Sequence, residues 1–124
     1  SLVMHAHSPH VPTFRADVRM FEVGDDRWVG GGADLTPAYL HDDDARWFHR
    51  FWRDVCEQHA HCADHKRFKE WCDSYFYLPS RREHRGIGGI FFDDLNANGS
   101  VKFVRDVAEQ LMPSYLLIVA ARRE

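Results

Sequence analysis

No apolar run in this 124-residue chain is long enough to span a bilayer: the longest, Tyr115 to Ala121, falls far short of the ~20 residues that a membrane helix needs. The chain does not open on a charged segment followed by an apolar one, so it reads as soluble and unexported. Cationic excess is also missing. A formal charge of -3 leaves no broad basic surface of the kind that nucleic-acid binding needs. Cysteine is scarce: Cys56, Cys62 and Cys72 are odd in number and lack CxxC spacing. That argues against a disulfide framework and a zinc site, and for reduced thiols in a reducing compartment. Nucleotide loops are absent as well. Gly86-Ile-Gly-Gly89 fits neither GxGxxG nor GxxxxGK[ST], and Ile90-Phe-Phe92 continues as strand instead of opening a helix, which excludes Rossmann and P-loop assignments.

What is present is 44% hydrophobic and 14% aromatic residues in the length of one domain. Such a chain can bury roughly two-thirds of its unfolded surface in a single core. Residues 1–124 are therefore expected to form one domain. Both ends, Ser1-Leu-Val-Met4 and the Arg122-Arg-Glu124 that follows a helical pattern, look cut from something longer.

Alternation marks the first elements. Between Thr13 and Val23, Phe14, Ala16, Val18 and Met20 point one way and Arg15, Asp17 and Arg19 the other, as in a strand with one charged face. Gly24-Asp25-Asp26 suits a hairpin turn, with Arg27 to Thr36 as the returning strand until Pro37, and Leu2 to His5 suits a short further strand. Asp42-Asp-Asp44 suits a helix N-terminus, where the dipole favours negative charge. Trp47, Phe48, Phe51, Trp52, Val55, Cys56 and His59 then recur at helical spacing. A second helix is expected to turn Phe68, Trp71, Cys72, Tyr75 and Phe76 inward and to stop near Pro79. Arg85 to Asp94 returns to strand character, 96–100 is a turn ending in an N-cap at Ser100, and a last helix through Leu111 is kinked or interrupted at Pro113. This order implies an α+β domain with helices covering a largely antiparallel sheet.

Two features carry chemistry. Gly30-Gly31-Gly32 weakens a strand, so either something bulky lies against that backbone, a flat or saucer-shaped ligand for example, or the run is a bulge or a packing crossing. Strand parity puts Trp28, Gly30, Gly32 and Asp34 on one face, with a carboxylate at the end of a lane without side chains. The second feature is Arg15, Asp17 and Arg19, to which Arg85 adds a cation: either a solvated strand face or a set of guanidiniums for a polycarboxylate. Nine histidines raise the question of a metal, but neither His5, His7, His10 nor His59, His61, His65 has HExxH or Cys/His zinc spacing. His49 suits a core or boundary position, and Asp93-Asp94 suits a strand end better than a cation site.

Several segments, in order, resemble the signature blocks of the aerobic coproporphyrinogen III oxidases. They are Ser1-Leu-Val-Met-His5, Pro9-His-Val-Pro-Thr13, Gly30 to Pro37, Phe68-Lys-Glu-Trp-Cys-Asp73 with Tyr75-Phe-Tyr77, and Arg85 to Leu95; Pro113-Ser-Tyr115 and Ile118-Val119 fit the block that follows. The resemblance covers the whole chain but less than half of a family protein. It implies the N-terminal-to-central part of a large, flat, mainly antiparallel sheet flanked by helices, with the C-terminal half of the fold absent and the full-length protein a homodimer. It further implies oxidative decarboxylation of coproporphyrinogen III to protoporphyrinogen IX in haem biosynthesis, with dioxygen as co-substrate and no metal or organic cofactor. By similarity, Asp34 hydrogen-bonds the pyrrole nitrogens or acts as base, Arg85 holds a propionate and His49 completes the catalytic set. Ser1, Arg15, Asp17, Val18, Arg19, Gly31 and Gly32 form the substrate-binding set. The implied location is cytoplasmic, or mitochondrial where a removed leader carried a transit peptide.

The chain departs from the family in having Arg15, Trp47 and Ser80 where histidines are usual. The first of those histidines has been assigned a proton-donor role that a permanently charged guanidinium does not suit. The resemblance therefore also allows a catalytically weakened or silent porphyrin-binding relative. By itself, residues 1–124 are expected to expose a sheet edge, dissolve poorly and show no activity.

Overall fold

A computed structural model of the chain describes residues 1–97 and 99–122. The hairpin is its backbone. β2 (Thr13–Val23) and β3 (Asp26–Thr36) pair antiparallel without a break, Val23 opposite Asp26 and Thr13 opposite Thr36. The turn between them has only Gly24 and Asp25, and Gly24 takes φ 61°, a left-handed conformation open to glycine at little cost. β1 (Leu2–Met4) lies outside β2, pairing only with Phe14 to Ala16. β6 (Gly88–Leu95) lies on the far side of β3, giving a four-stranded antiparallel sheet in the order β1-β2-β3-β6. The register between β3 and β6 shifts between Val29 and Gly31, an irregularity in the middle of the glycine run.

Among the described residues, four helices accompany the sheet: α1 (Asp42–Glu57), α2 (His65–Tyr75), α3 (Ser100–Gln110) and α4 (Pro113–Arg122). A small hairpin of β4 (Tyr77–Leu78) and β5 (Glu83–His84) follows α2. Asp64 caps α2 by accepting from the Arg67 backbone N–H at 3.4 Å. The acidic start of α1 is used twice, for its own dipole and for an ion pair between Asp44 and Arg122 of α4 at 3.0 Å.

Every second strand residue enters the core. Phe14, Ala16, Val29, Ala33, Leu35, Ile90 and Phe92 are buried on one sheet face, against Phe48 and Trp52 of α1, Phe68 of α2, Phe103 and Val107 of α3, and Tyr115 and Ile118 of α4. Phe14 stacks on Tyr115 with centroids 4.9 Å apart, and Phe92 lies 5.2 Å from Phe68 and 5.0 Å from Phe103. Each such ring contributes about 1.5–3 kcal/mol by leaving water. Tyr115 also donates its hydroxyl to the Pro12 carbonyl at 2.6 Å, tying α4 to the segment before β2.

Several expectations are corrected. Ser100 is the first helical residue and not the cap, because Gly99 at φ 88° turns the chain into α3; Asn98 of the expected 96–100 turn lies outside the described residues. β6 begins at Gly88, not Arg85, because Gly86 at φ 59° and Gly88 at φ 77° bend the chain before the strand starts. Pro113 does interrupt the last helix: its missing N–H suits a first turn, so it opens α4. The three cysteines are free thiols. Among the described residues, no strand pairs with the outer side of β2 beyond Ala16, and Met20, Phe21 and Val23 are exposed there.

Candidate functional site

The second sheet face is built by the same hairpin count that builds the core. Because Val23 faces Asp26, Arg15 must face Asp34, Asp17 must face Gly32 and Arg19 must face Gly30. Across β3, Gly32 pairs with Phe91 and Asp34 with Gly89. Charged side chains thus stand opposite glycines, and the space the glycines leave is taken by ion pairs. Arg19 Nη1 lies 2.8 Å from Asp17, and its Nη2 3.6 Å from Asp93. Arg15 Nη1 lies 3.5 Å from Asp17 and 3.8 Å from Asp34.

Arg85 completes the cluster from the loop after β5. Its Nη2 donates to both oxygens of Asp34, each at 2.9 Å. One nitrogen thus bridges the carboxylate, and the guanidinium's other N–H groups stay clear of it. Three arginines meet three aspartates, Asp17, Asp34 and Asp93, and the formal charges cancel. Two of the aspartates lie deepest: Asp34 is 2% and Asp17 5% exposed, whereas the arginine side chains are about a third exposed and Asp93 sits at the rim. Burial pushes the Asp34 carboxyl above its ordinary 3.8, Arg85 and Arg15 pull the other way, and burial prevails. A carboxyl held in that direction is suited to exchange a proton nearer neutrality than a free aspartate does.

An aromatic wall borders the cluster. Tyr75 stacks on Phe91 at 4.3 Å, and Phe76 meets Phe91 edge-on at 5.9 Å. The Arg85 Cζ lies 3.6 Å and the Arg15 Cζ 5.1 Å from the Phe76 ring centroid. Polar capacity remains unused, since Arg15 Nη1, Asp17 Oδ1 and Arg19 Nη2 are buried with no hydrogen-bond partner among the described residues. Such a cluster can hold carboxylates through the outward donors of its arginines and move a proton at Asp34.

The structure divides the expected site residues. Asp34, Arg85, Arg15, Asp17, Arg19 and Gly32 come together on this face. Ser1 precedes β1, whose Leu2 pairs with Ala16, and extending that register by one residue sets Ser1 beside Asp17. Val18 and Gly31 alternate to the helical side, where Val18 borders an apolar groove with Met20, Val101, Val104 and Ala108. Strand parity turns the Val18 side chain away from the face of Asp34. His49 stands apart too: its Nε2–H donates to the Ile87 carbonyl at 3.1 Å, so it braces the loop that carries Arg85, and among the described residues it makes no hydrogen bond to Asp34 or Arg85. Burial lowers its pKa below the ordinary 6.5, and its Nδ1 is buried without a partner among the described residues.

The lane along Gly30 to Gly32 is not bare. A Cβ on Gly30 would meet Asp93 Oδ1 at 2.6 Å and Arg19 Nη2 at 2.8 Å, while one on Gly32 would lie 2.5 Å from the Ile90 carbonyl oxygen. The glycines serve close strand approach and the ion pairs. Phe76 and Tyr75 are residues that the sequence pattern misplaced: Phe76 follows α2 as its cap, Tyr75 is exposed, and both lie on the polar face, not in the core. The pairing of Phe76 with arginine has no local sequence signal. Of the positions where the family usually has histidine, Arg15 is in the cluster, Trp47 packs on Phe51 at 5.3 Å, and Ser80 is exposed.

Among the described residues, no group of three or more His, Cys, Asp or Glu side chains is arranged to hold a metal ion, and no helix is long and apolar enough to cross a membrane. The family model for coproporphyrinogen III oxidase matches residues 1–124. The chain is 44% identical over 131 residues to the oxygen-dependent coproporphyrinogen-III oxidase of Francisella tularensis subsp. holarctica, covering 99% of this chain and 42% of that protein. It is 44% identical over 127 residues to the mitochondrial enzyme of Homo sapiens and 45% to that of Mus musculus, in each case covering 96% of this chain and 28% of the relative. The chain thus spans less than half the length of these relatives. Its blocks, their order and this identity over nearly every residue make it a member of the coproporphyrinogen III oxidase family.

Proposed function

We propose that the native protein containing this chain carries out the aerobic oxidative decarboxylation of coproporphyrinogen III to protoporphyrinogen IX, and that the Asp34–Arg85 cluster is part of its substrate site. The observation that carries this reading is the bridged pair itself. Residues 51 apart in sequence put a buried carboxylate and a part-exposed guanidinium on one sheet face, beside Arg15 and Arg19. In each conversion a propionate loses carbon dioxide, the electrons of the broken C–C bond form the vinyl double bond, and a β-hydrogen leaves with its electron pair. Dioxygen takes up that hydrogen with its two electrons, together with one proton, and leaves as hydrogen peroxide. Asp34 accepts the pyrrole N–H proton, whose loss makes the ring electron-rich, while Arg85, Arg19 and Arg15 hold the propionates in charge-assisted pairs.

The same reading takes Ser1, Asp17 and Gly32 as substrate contacts, the protein as a homodimer and the reaction as free of a metal or organic cofactor. It places the protein in the cytoplasm, or in the mitochondrion where a leader directs it. The test is aerobic turnover of coproporphyrinogen III by the purified native protein, with and without chelator. No turnover under oxygen overturns the reading, and loss on chelation overturns the metal-free part of it.

A second reading has its own observation. Arg15, at a usual histidine position, sets its cation 3.8 Å from Asp34, where it competes with a substrate for the carboxylate. A catalytically silent porphyrin-binding relative would look like this. Restoring histidine at Arg15 and Ser80 separates the two: turnover unchanged within about threefold keeps the enzyme reading, and a large gain favours the silent one.

A further inference from the structure

Arg85 needs more than its one ionic partner to be held in place. It sits in the loop between β5 and β6, next to Gly86 in a left-handed conformation. Its only side-chain hydrogen bonds among the described residues run from Nη2 to the two oxygens of Asp34. A guanidinium anchored through one nitrogen is free to swing about that nitrogen. What blocks the swing is the Phe76 ring, whose centroid lies 3.6 Å from the Arg85 Cζ, the separation of a stacked pair.

The ring is itself fixed. The Phe76 backbone N–H closes α2 on the Cys72 and Ser74 carbonyls, and the ring meets Tyr75 and Phe91 edge-on at 83° and 85°. Arg15 approaches the same ring at 5.1 Å. α2 makes this arrangement by bordering β6, with Phe68 against Phe92 on the core face and Tyr75 and Phe76 against Phe91 on the polar face.

We propose that Phe76 is the positioning residue of this site: its ring holds the Arg85 guanidinium so that Nη2 bridges Asp34 while the remaining N–H groups face outward to a substrate carboxylate. The inference rests on the reading of the cluster as a carboxylate-binding site. Phe76 itself makes no contact with the reacting atoms.

The test uses the native protein with Phe76→Leu, which keeps bulk and removes the ring face, Phe76→Tyr, which keeps the face, Arg85→Ala, and Phe76→Leu combined with Arg85→Ala. Phe76→Met stands in should Phe76→Leu not fold. For Phe76→Leu, KM for coproporphyrinogen III is expected to rise roughly three- to thirty-fold, the range spanned by a cation–π contact, with kcat nearly unchanged. Phe76→Tyr is expected to restore native values, and the double variant to match Arg85→Ala alone. Independently of turnover, the Asp34 carboxyl titration followed by carbon NMR should move upward in Phe76→Leu and stay in place in Phe76→Tyr. Additive losses in the double variant, or a lowered melting temperature with KM and the Asp34 titration unmoved, overturn the proposal. If the native protein does not turn over coproporphyrinogen, the functional reading falls and the titration alone decides: movement with Leu but not Tyr supports Phe76, and no movement overturns it.

Discussion

Replacing Arg85 by alanine removes the nitrogen that bridges both oxygens of Asp34 at 2.9 Å. A hydrogen bond to a charged group contributes about 1.5–3 kcal/mol. Arg85 is 30% exposed and Arg15 stays 3.8 Å from the carboxylate, so the lower end applies. At about 1.4 kcal/mol per pH unit, the Asp34 pKa should climb by about one unit above its place in the intact protein. Two consequences have opposite pH signs. A base works only when ionised, so activity appears as pH rises through the folded pKa, and the acid limb of the rate profile should shift upward by about that unit. Stability runs the other way: burial already holds the folded Asp34 pKa above its ordinary 3.8, so the contribution is favourable in acid and is lost as pH rises through the folded pKa. Arg85→Ala widens that window. Its deficit relative to the native protein should be smallest below about pH 4 and grow by about 1.5 kcal/mol toward neutrality. Asp34→Asn removes the titration, flattening both curves and lowering kcat by about a hundred- to ten-thousand-fold, the usual contribution of a general base. Urea denaturation and pH–rate profiles of the native protein and both variants measure this. An Arg85→Ala deficit that is the same at every pH, or an acid limb that survives in Asp34→Asn, refutes the reasoning.

Other tests probe the scaffold. Tyr115→Phe leaves the Pro12 carbonyl without its donor in the core and should cost about 1–3 kcal/mol in urea denaturation, with catalysis unchanged. Gly89→Ala drives a methyl group into the Ala33 carbonyl oxygen beside Asp34 and should destabilise by roughly 3 kcal/mol, since backbone cannot yield as a flexible side chain does. Burial pushes the Cys56 and Cys72 thiols up to about 12, so iodoacetamide near neutral pH should modify half-buried Cys62 first and the other two only after unfolding; equal labelling of all three in the folded state contradicts the packing.

The cluster also recasts the glycine run. Fitting such a run to a ligand asks only for an empty lane, whereas strands that approach closely and arginines that fold back over the sheet make the same demand. Arg19 and Asp93 over Gly30 meet it with the chain's own side chains. A carboxylate that entered this face would meet arginines already paired with Asp17, Asp34 and Asp93, and would bind through the N–H groups that those pairs leave outward.

Local spacing determined what depends on neighbours along the chain. Alternation from Thr13 to Val23 assigns the two faces of β2, but the register came from the structure: the turn has two residues, Gly24 and Asp25, and not the three that the spacing suggested, so Arg15 pairs with Asp34 and not with Leu35. The stripe of α1, buried through Phe48, Trp52, Val55 and Cys56, follows from a period near 3.6. The family resemblance supplied Asp34 and Arg85, and it named Val18 and Gly31 beside them, although strand parity turns the Val18 side chain to the helical side. Only the tertiary structure decided the rest. Arg85 reaches Asp34 because two left-handed glycines bend the loop before β6, and Phe76 leaves the core because α2 borders that strand and reaches both of its faces. Neither arrangement has a sequence period, since each depends on where one element lies against another and not on the spacing of residues within it.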